Sequence, residues 1–279
     1  CLIDDEFYVK VIVVVVFYMI LFSAALDRDS IETNDGFYRS IDDTIVWSSE
    51  NIRDFVTIEP GDSGTVDFSF AALPVSPDIR LVDPVMNIEV SVRGRRISED
   101  NVPESITSSI DRDIKIASDL ILTSQSSYTT GPFENSGPIP PRVEQETTYT
   151  ITWSVANTSN DTTNVRVSGK LPSYVSWNNL IHPENEKVTY NPSSRQIIWD
   201  VGDVPTGTGY TSPARELAFK VSLLPSLSQE GDAVDLLTDQ QIVGLDLFTN
   251  TVLETSRRSV TTRLTNDPGV PKDNGRVFR

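Results

Sequence analysis

Enzymatic chemistry needs a nucleophile, acid, base or metal ligand held beside its partners, and this chain is poor in the usual ones. Its 279 residues include one histidine, His182, and one cysteine, Cys1. The nearest approach to a catalytic pattern is Gly61-Asp62-Ser63-Gly64. A nucleophilic serine requires a histidine base within hydrogen-bond reach and donors for the oxyanion. His182 lies in the other half of the chain, and Glu59-Pro60-Gly61-Asp62 already reads as a turn, with proline fixing φ and glycine able to take positive φ. The turn is the better account. Zinc is poorly served too, because its sites take about three to four protein ligands, mostly His or Cys. Calcium needs only oxygens, so Asp42-Asp43, Asp27 with Asp29, and Asn160-Asp161 stand as candidate ligands, although none has the spacing of a known calcium loop. Asn157-Thr158-Ser159 and Asn160-Asp161-Thr162 fit the acceptor pattern for N-glycosylation and are expected together in one exposed loop, Asn157 to Asn164. The sequence has no phosphate-cradling glycine loop and no paired-histidine motif. No catalytic or cofactor-binding residue is therefore assigned, metal ligands stay open, and calcium is the one cofactor the residues allow.

What positions these residues is a pattern stated twice. Tyr38, Ile45-Val46-Trp47, a Pro-Gly turn and Phe68-Ser69-Phe70 through Leu73-Pro74 are echoed by Tyr190, Ile197-Ile198-Trp199, a turn rich in Pro and Gly, and Phe219-Lys220-Val221 through Leu224-Pro225. Trp47 and Trp199 are 152 residues apart and Pro74 and Pro225 are 151 apart, which marks two copies of one domain. Runs within the copies alternate with period two: Val66, Phe68, Phe70; Ile88, Val90, Val92; Tyr149, Ile151, Trp153, Val155; Leu217, Phe219, Val221, Leu223. Short strands separated by turn signals specify an all-β fold of tandem antiparallel sandwiches. The expected divisions are a hydrophobic segment over 1–26, a first and incomplete sandwich over 27–117, a complete second sandwich over 118–267, and a polar tail over 268–279. Trp47, Trp153 and Trp199 read as core, while Trp177, which follows a strand stopped by Pro172, is the aromatic best placed to meet a ligand.

The first 26 residues read two ways. Val11 to Leu26 is interrupted only by Ser23, and with Phe7 to Val9 it approaches the ~20 residues of a membrane helix. Lys10 and Asp27 would then set the domains outside the cell. The repeat instead sets Val13 to Val16 against Val165 to Ser168, and β-branched valines suit a buried strand equally well. Residues 7–26 are thus a membrane anchor, or residues 9–26 carry a strand. A lipidated Cys1 is a third reading, in which a second hydrophobic span would be redundant. The net charge of −17 argues against nucleic acid as a partner, because such a surface repels phosphates. A single cysteine leaves no intrachain disulfide, so the fold must rest on its cores.

Tyr149-Thr150-Ile151-Thr152-Trp153-Ser154-Val155-Ala156-Asn157-Thr158, Asn164-Val165-Arg166-Val167, Leu171-Pro172, Val175-Ser176-Trp177 and Trp199-Asp200-Val201-Gly202-Asp203-Val204-Pro205-Thr206-Gly207 together resemble the conserved-repeat immunoglobulin-like β-sandwich domain. That family, a domain of unknown function, occurs in tandem in bacterial and archaeal surface proteins. Glu59-Pro60-Gly61-Asp62-Ser63 resembles its usual turn, and the resemblance runs from about Asp27 to Asp267. The arrangement is also similar to large envelope proteins of uncultivated, small-genome bacteria. The resemblance implies an immunoglobulin-like fold, a place on the extracellular face of the cell envelope, and a non-enzymatic role as a stalk or adhesion module. Loops such as Asn157 to Asn164 would meet other surface proteins or glycans. A Lys-to-Asn isopeptide cross-link, formed in some surface sandwiches, would need a buried lysine, and the alternation around Lys170 and Lys220 points both outward. The alternative is a carbohydrate-binding or accessory module of an exported enzyme, with Trp177 as its sugar platform.

Overall fold

The computed structural model describes residues 16–22, 26–58, 62–73, 81–95, 105–270 and 275–279. Among these, regular structure is antiparallel β-sheet, with helix confined to two 3-10 turns. The chain divides into two compact units, residues 1–74 with 83–116 and residues 75–82 with 117–279.

In the first unit, β1 (Val16–Phe22), β2 (Leu26–Thr33), β3 (Phe37–Arg39), β4 (Thr44–Trp47), β5 (Phe68–Ala72), β6 (Val85–Arg95) and β7 (Ser105–Lys115) form a sheet in the order β3-β4-β1-β6-β7 and a pair β2-β5. The hydrophobic run therefore supplies a strand. Phe17 lies opposite Trp47 on one side and Val92 on the other, so Val16–Phe22 is central in its sheet. This corrects the membrane-anchor reading of residues 7–26, since a spanning helix would need these residues helical. Among the described residues no helix is long and apolar enough to cross a membrane; residues 7–15 lie outside them. Leu26, Ile45, Trp47, Phe55, Met86 and Ile88 make the buried core. The Trp47 indole donates to the Asn34 carbonyl at 3.0 Å. Gly36 makes room for it, because a Cβ there would stand 2.6 Å from Trp47 Nε1.

The second unit adds β8 (Leu120–Ser127), β9 (Thr147–Asn157), β10 (Thr162–Lys170), β11 (Val175–His182), β12 (Lys187–Asn191), β13 (Gln196–Val204), β14 (Arg215–Leu223), β15 (Asp235–Asp246), β16 (Thr251–Arg257) and β17 (Val260–Thr261). One sheet runs β8-β9-β14-β11; the other runs β16-β15-β10-β13-β12, with β17 also on β15. These are the A-B-E-D and G-F-C-C′-C″ orders of an immunoglobulin sandwich, with the β12-β13 hairpin entering after D rather than before it. Tyr149, Ile151, Trp153 and Val155 of β9 are all fully buried, as their period-two spacing requires. Trp153 meets Phe219 edge-on at 4.9 Å, and its indole reaches across to the opposite sheet to donate to Gln240 Oε1 at 2.8 Å.

Of residues 268–279, expected as a polar tail, the described ones, 268–270 and 275–279, pack on this core. Val270 and Val277 are buried. Phe278 donates to the Pro141 carbonyl and accepts from Val143 N–H, both at 2.8 Å, while Val277 exchanges backbone bonds with Gly231 and Asp232. The polar composition hides two spaced valines, which is enough for a short edge segment.

The two units share a strand order. β3-β4-β1-β6-β7 corresponds to β12-β13-β10-β15-β16, and β2-β5 to β11-β14. Pairing also sets the register: Phe17 opposite Trp47 and Val92 answers Val167 opposite Trp199 and Ile242. That offset is 150, two residues from the spacing of the tryptophans. Among the described residues, the first unit has no strands in the places of β8 and β9.

Candidate functional site

A dense set of polar side chains lies buried at the end of the second sandwich where β9, β13 and β15 finish and β8 and β10 begin. The chain crosses there from one sheet to the other, and a crossing leaves backbone N–H groups without ladder partners. Ser, Thr, Asn and Asp are the residues whose short side chains can take those bonds. Ser118 Oγ donates to Asn157 Oδ1 at 2.6 Å, accepts from Ser159 N at 2.8 Å and Asn160 N at 3.3 Å, and lies 3.0 Å from Thr158 Oγ1. Asn157 Nδ2 donates to the carbonyls of Asn160 at 2.7 Å and Val204 at 2.8 Å.

Asp246 anchors the set. Its Oδ2 accepts from Ser118 N and Asn160 Nδ2, both at 2.8 Å, and its Oδ1 accepts from Phe248 N and Thr249 N, both at 2.9 Å. Burial pushes this carboxyl pKa up, but the bonds from Ser118, Thr249, Asn160 and Phe248 outweigh burial, and the net shift is downward. A carboxylate offers about four lone-pair sites, and four N–H groups occupy them. Asp267 does similar work nearby in sequence to the end of the chain. It accepts from Tyr128 N, Thr129 N, the Thr129 hydroxyl and Gly269 N, which lower its pKa against the opposing effect of burial.

The exposed loop expected over Asn157 to Asn164 is corrected by this geometry. Asn157, Thr158, Ser159, Asn160 and Thr162 are buried, and both acceptor asparagines have their amide nitrogens engaged inside the protein. Neither presents a nitrogen for a glycan. Several of the candidate calcium oxygens accept hydrogen bonds from within the protein. Asp161 Oδ1 accepts from Thr206 N at 2.9 Å and Asp27 Oδ1 from Asp29 N at 3.2 Å. Asp42 is held in a two-toothed ion pair by Arg39, and Asp43 by Arg28 with the Tyr38 hydroxyl at 2.7 Å. The Arg28 bond holds the Asp43 carboxyl below its ordinary range. Burial and the bond to Asp43 push the Tyr38 hydroxyl up to about 12. Among the described residues, no three His, Cys, Asp or Glu side chains gather as metal ligands would.

The remaining candidates fall in separate places. Ser63 is exposed on a cleft of about 690 Å³ in the first unit, lined by Ile52, Phe55, Ile58 and Val66, whereas His182 is exposed at the end of β11 in the second. Trp177 is half-buried, stacked on Tyr190 at 5.7 Å and tilted on Phe219 at 5.4 Å. It sits on β11 and Tyr190 on β12, the edge strands of opposite sheets, so the pair closes the open side of the sandwich. Lys170 is exposed, and Lys220 Nζ donates to the Glu134 carbonyl at 2.7 Å. Sequence reasoning missed Ser118, Gln240, Asp246 and Asp267. The last was readable, because Asp267-Pro268-Gly269 is a turn signal; the others act through partners far away in the chain.

No protein-family model matches the chain, and no curated protein matches it. Similar solved structures include the D312A form of BcpA, the major pilin subunit of Bacillus cereus, at 8% identity and a TM-score of 0.33, over 92% of this chain and 66% of that one. The C-terminal domain of the Streptococcus pyogenes antigen I/II-family protein AspA matches at 9% identity and 0.31, over 89% and 84%. The full-length major pilin SpaD from Corynebacterium diphtheriae matches at 9% and 0.32, over 93% and 61%. The chain thus spans less than two thirds of the length of either pilin. The immunoglobulin-like fold rests on the strand order described above.

Proposed function

We propose that the chain is a non-enzymatic structural and adhesive part of a cell envelope, built from two copies of one immunoglobulin-like module. The observation that carries this reading is the shared strand order of the two units, β3-β4-β1-β6-β7 with β2-β5 against β12-β13-β10-β15-β16 with β11-β14. A module repeated with its topology intact, and with its polar side chains turned inward as clamps, is suited to bear load and space other surfaces apart. Presentation falls to side chains left outside, such as Leu180, Leu247 and Val252, all exposed. The first module in this reading includes the strand Val16–Phe22, ahead of the boundary at residue 27. Glycans or other surface proteins are its partners.

Antibodies raised against the chain test this on cells of the source organism. Labelling of intact cells is expected. Labelling that requires permeabilisation would overturn an envelope-surface role.

A further inference from the structure

We propose that a hydroxyl-lined pocket in the second unit, between β8 and the segment that carries β17, binds a single sugar residue bearing a carboxylate. The inference deepens the envelope reading above, in which glycans stand among the partners, and it rests on that reading for the source of the ligand.

Strand parity builds one wall. Leu120, Leu122, Ser124 and Ser126 share one face of β8, and the two leucines are buried in the core. Past Leu122 that inward face changes from leucine to serine. There a cavity of about 240 Å³ opens between β8 and residues 259–266, lined by Ser124, Ser126, Thr261, Thr265 and Asn266, and Arg263, an exposed residue, joins the lining. Ser126 fixes the second wall to the first. Its hydroxyl donates to the Thr261 carbonyl at 2.9 Å, and Thr261 Oγ1 accepts from Arg263 N at 3.2 Å, so the segment holding Arg263 is pinned to the strand holding Ser124.

Two observations point to a ligand, and each asks for a different part of it. The Ser124 hydroxyl is buried and has no hydrogen-bond partner among the described residues. Leaving a hydroxyl so is costly, and a ligand hydroxyl reaching into the cavity would pair it. The second observation is charge. Arg28, Arg39 and Arg215 each hold a carboxylate, whereas Arg263 holds none among the described residues. Residues 255–266 contain Arg257, Arg258 and Arg263 with neither Asp nor Glu, and residues 120–133 contain no charged residue. The next carboxylate along the chain, Asp267, is turned to Tyr128, Thr129 and Gly269. In a chain of net charge −17 this is a local reversal. At physiological salt the screening length of ~8 Å keeps distant carboxylates from cancelling a contact made at hydrogen-bond distance.

A guanidinium is matched by a carboxylate, which can take two of its N–H groups at once. The hydroxyls and amide around it match the hydroxyls of a sugar ring. Size agrees, because the cavity equals the share of about eight waters at ~30 Å³ each, room for one sugar residue with the rest of a glycan outside. No aromatic ring is in the lining, so a neutral sugar finds no face to stack on, and the carboxylate has to supply the affinity.

The test titrates the full chain with methyl glucuronide, methyl galacturonide and methyl sialoside, with methyl glucoside and acetate as controls, followed by ligand-detected NMR. Saturable binding of at least one acidic sugar is expected, tighter than either control by about tenfold or more, the worth of a charge-assisted bond. Arg263→Gln should remove that margin and leave methyl glucoside unchanged. Ser124→Ala should weaken the acidic sugar several-fold without lowering Tm, because it deletes a hydroxyl that the fold leaves unpaired. No saturable binding of any of the three acidic sugars overturns the proposal. So does a control that binds as tightly as they do, or Arg263→Gln without effect. Binding is read on the purified chain and surface exposure on cells, so this pocket and the envelope role fail separately.

Discussion

Asp246→Ala asks whether the buried polar cluster clamps the end of the second sandwich. The substitution removes the acceptor for Ser118 N, Phe248 N, Thr249 N and Asn160 Nδ2 in one step. Each buried donor left unsatisfied costs about 1–3 kcal/mol, and water entering the vacated space will recover part of that. A loss of about 3–5 kcal/mol is expected, the range for removing one member of a buried charged network. Set against the ~5–15 kcal/mol that holds a domain together, this is a large fraction. Urea unfolding followed by tryptophan fluorescence measures it, because Trp153 and Trp199 are buried in the second unit. The midpoint should fall with the slope unchanged. Asp246→Asn should recover little, because its new NH₂ faces either the Ser118 and Asn160 donors or the Phe248 and Thr249 donors. The hydrogen bonds hold the folded carboxyl pKa below its unfolded value, so the stability they supply is present above about pH 3.9 and is lost as pH falls through the lower folded value. The gap between wild type and Asp246→Ala should therefore narrow in that acid window. A loss under about 1 kcal/mol at neutral pH, or a gap that does not change with acid, would refute the clamp.

Three further outcomes follow from single positions. The buried Tyr149 hydroxyl has no hydrogen-bond partner among the described residues, so Tyr149→Phe should raise stability by about 1–2 kcal/mol in the same urea measurement, and a loss would show that the hydroxyl is bonded. Gly137 has φ +99° and an added Cβ would stand 2.2 Å from the Glu146 carbonyl oxygen; Gly137→Ala should cost at least about 1–3 kcal/mol and lower Tm in calorimetry. Tyr38 should ionise near pH 12, read as the near-ultraviolet difference between wild type and Tyr38→Phe, and Asp43→Asn should bring that step down. Because its folded pKa is raised, Tyr38 contributes stability that is present below about pH 10 and lost as pH rises toward 12.

The parts of the fold that were legible in sequence are those whose signal is local. Alternation in Thr147–Asn157 shows which side chains face inward, because in a strand facing is fixed by parity alone. The valine run was ambiguous for the complementary reason: a buried central strand and a membrane helix both need continuous apolar residues. Partners decide between them, and β4 and β6 lie well downstream of Val16–Phe22. The surroundings of Trp177 were hidden by the same limit. Its neighbours in sequence are polar, but Tyr190 and Phe219 come from other strands and half-bury it.

The polar cluster shows why composition misplaced the one loop chosen for display. Asn157 to Asn164 is polar because the crossing between sheets must satisfy its own backbone inside the protein, and the polarity that reads as solvent exposure serves the interior instead. Its anchor, Asp246, is 128 residues from Ser118, so no local pattern could have joined them. The first unit argues the same point from the other side. Counting on from the match of Gly94 to Gly244, sequence places Arg96 where Asp246 stands. Ser118 leads into β8, and Asn157 ends β9. The unit without strands in the places of β8 and β9 among its described residues also lacks the carboxylate that would clamp them. In the second unit the carboxylate ties the lead-in of β8 to the loop that follows β9, which locks that strand pair onto the rest of the sandwich.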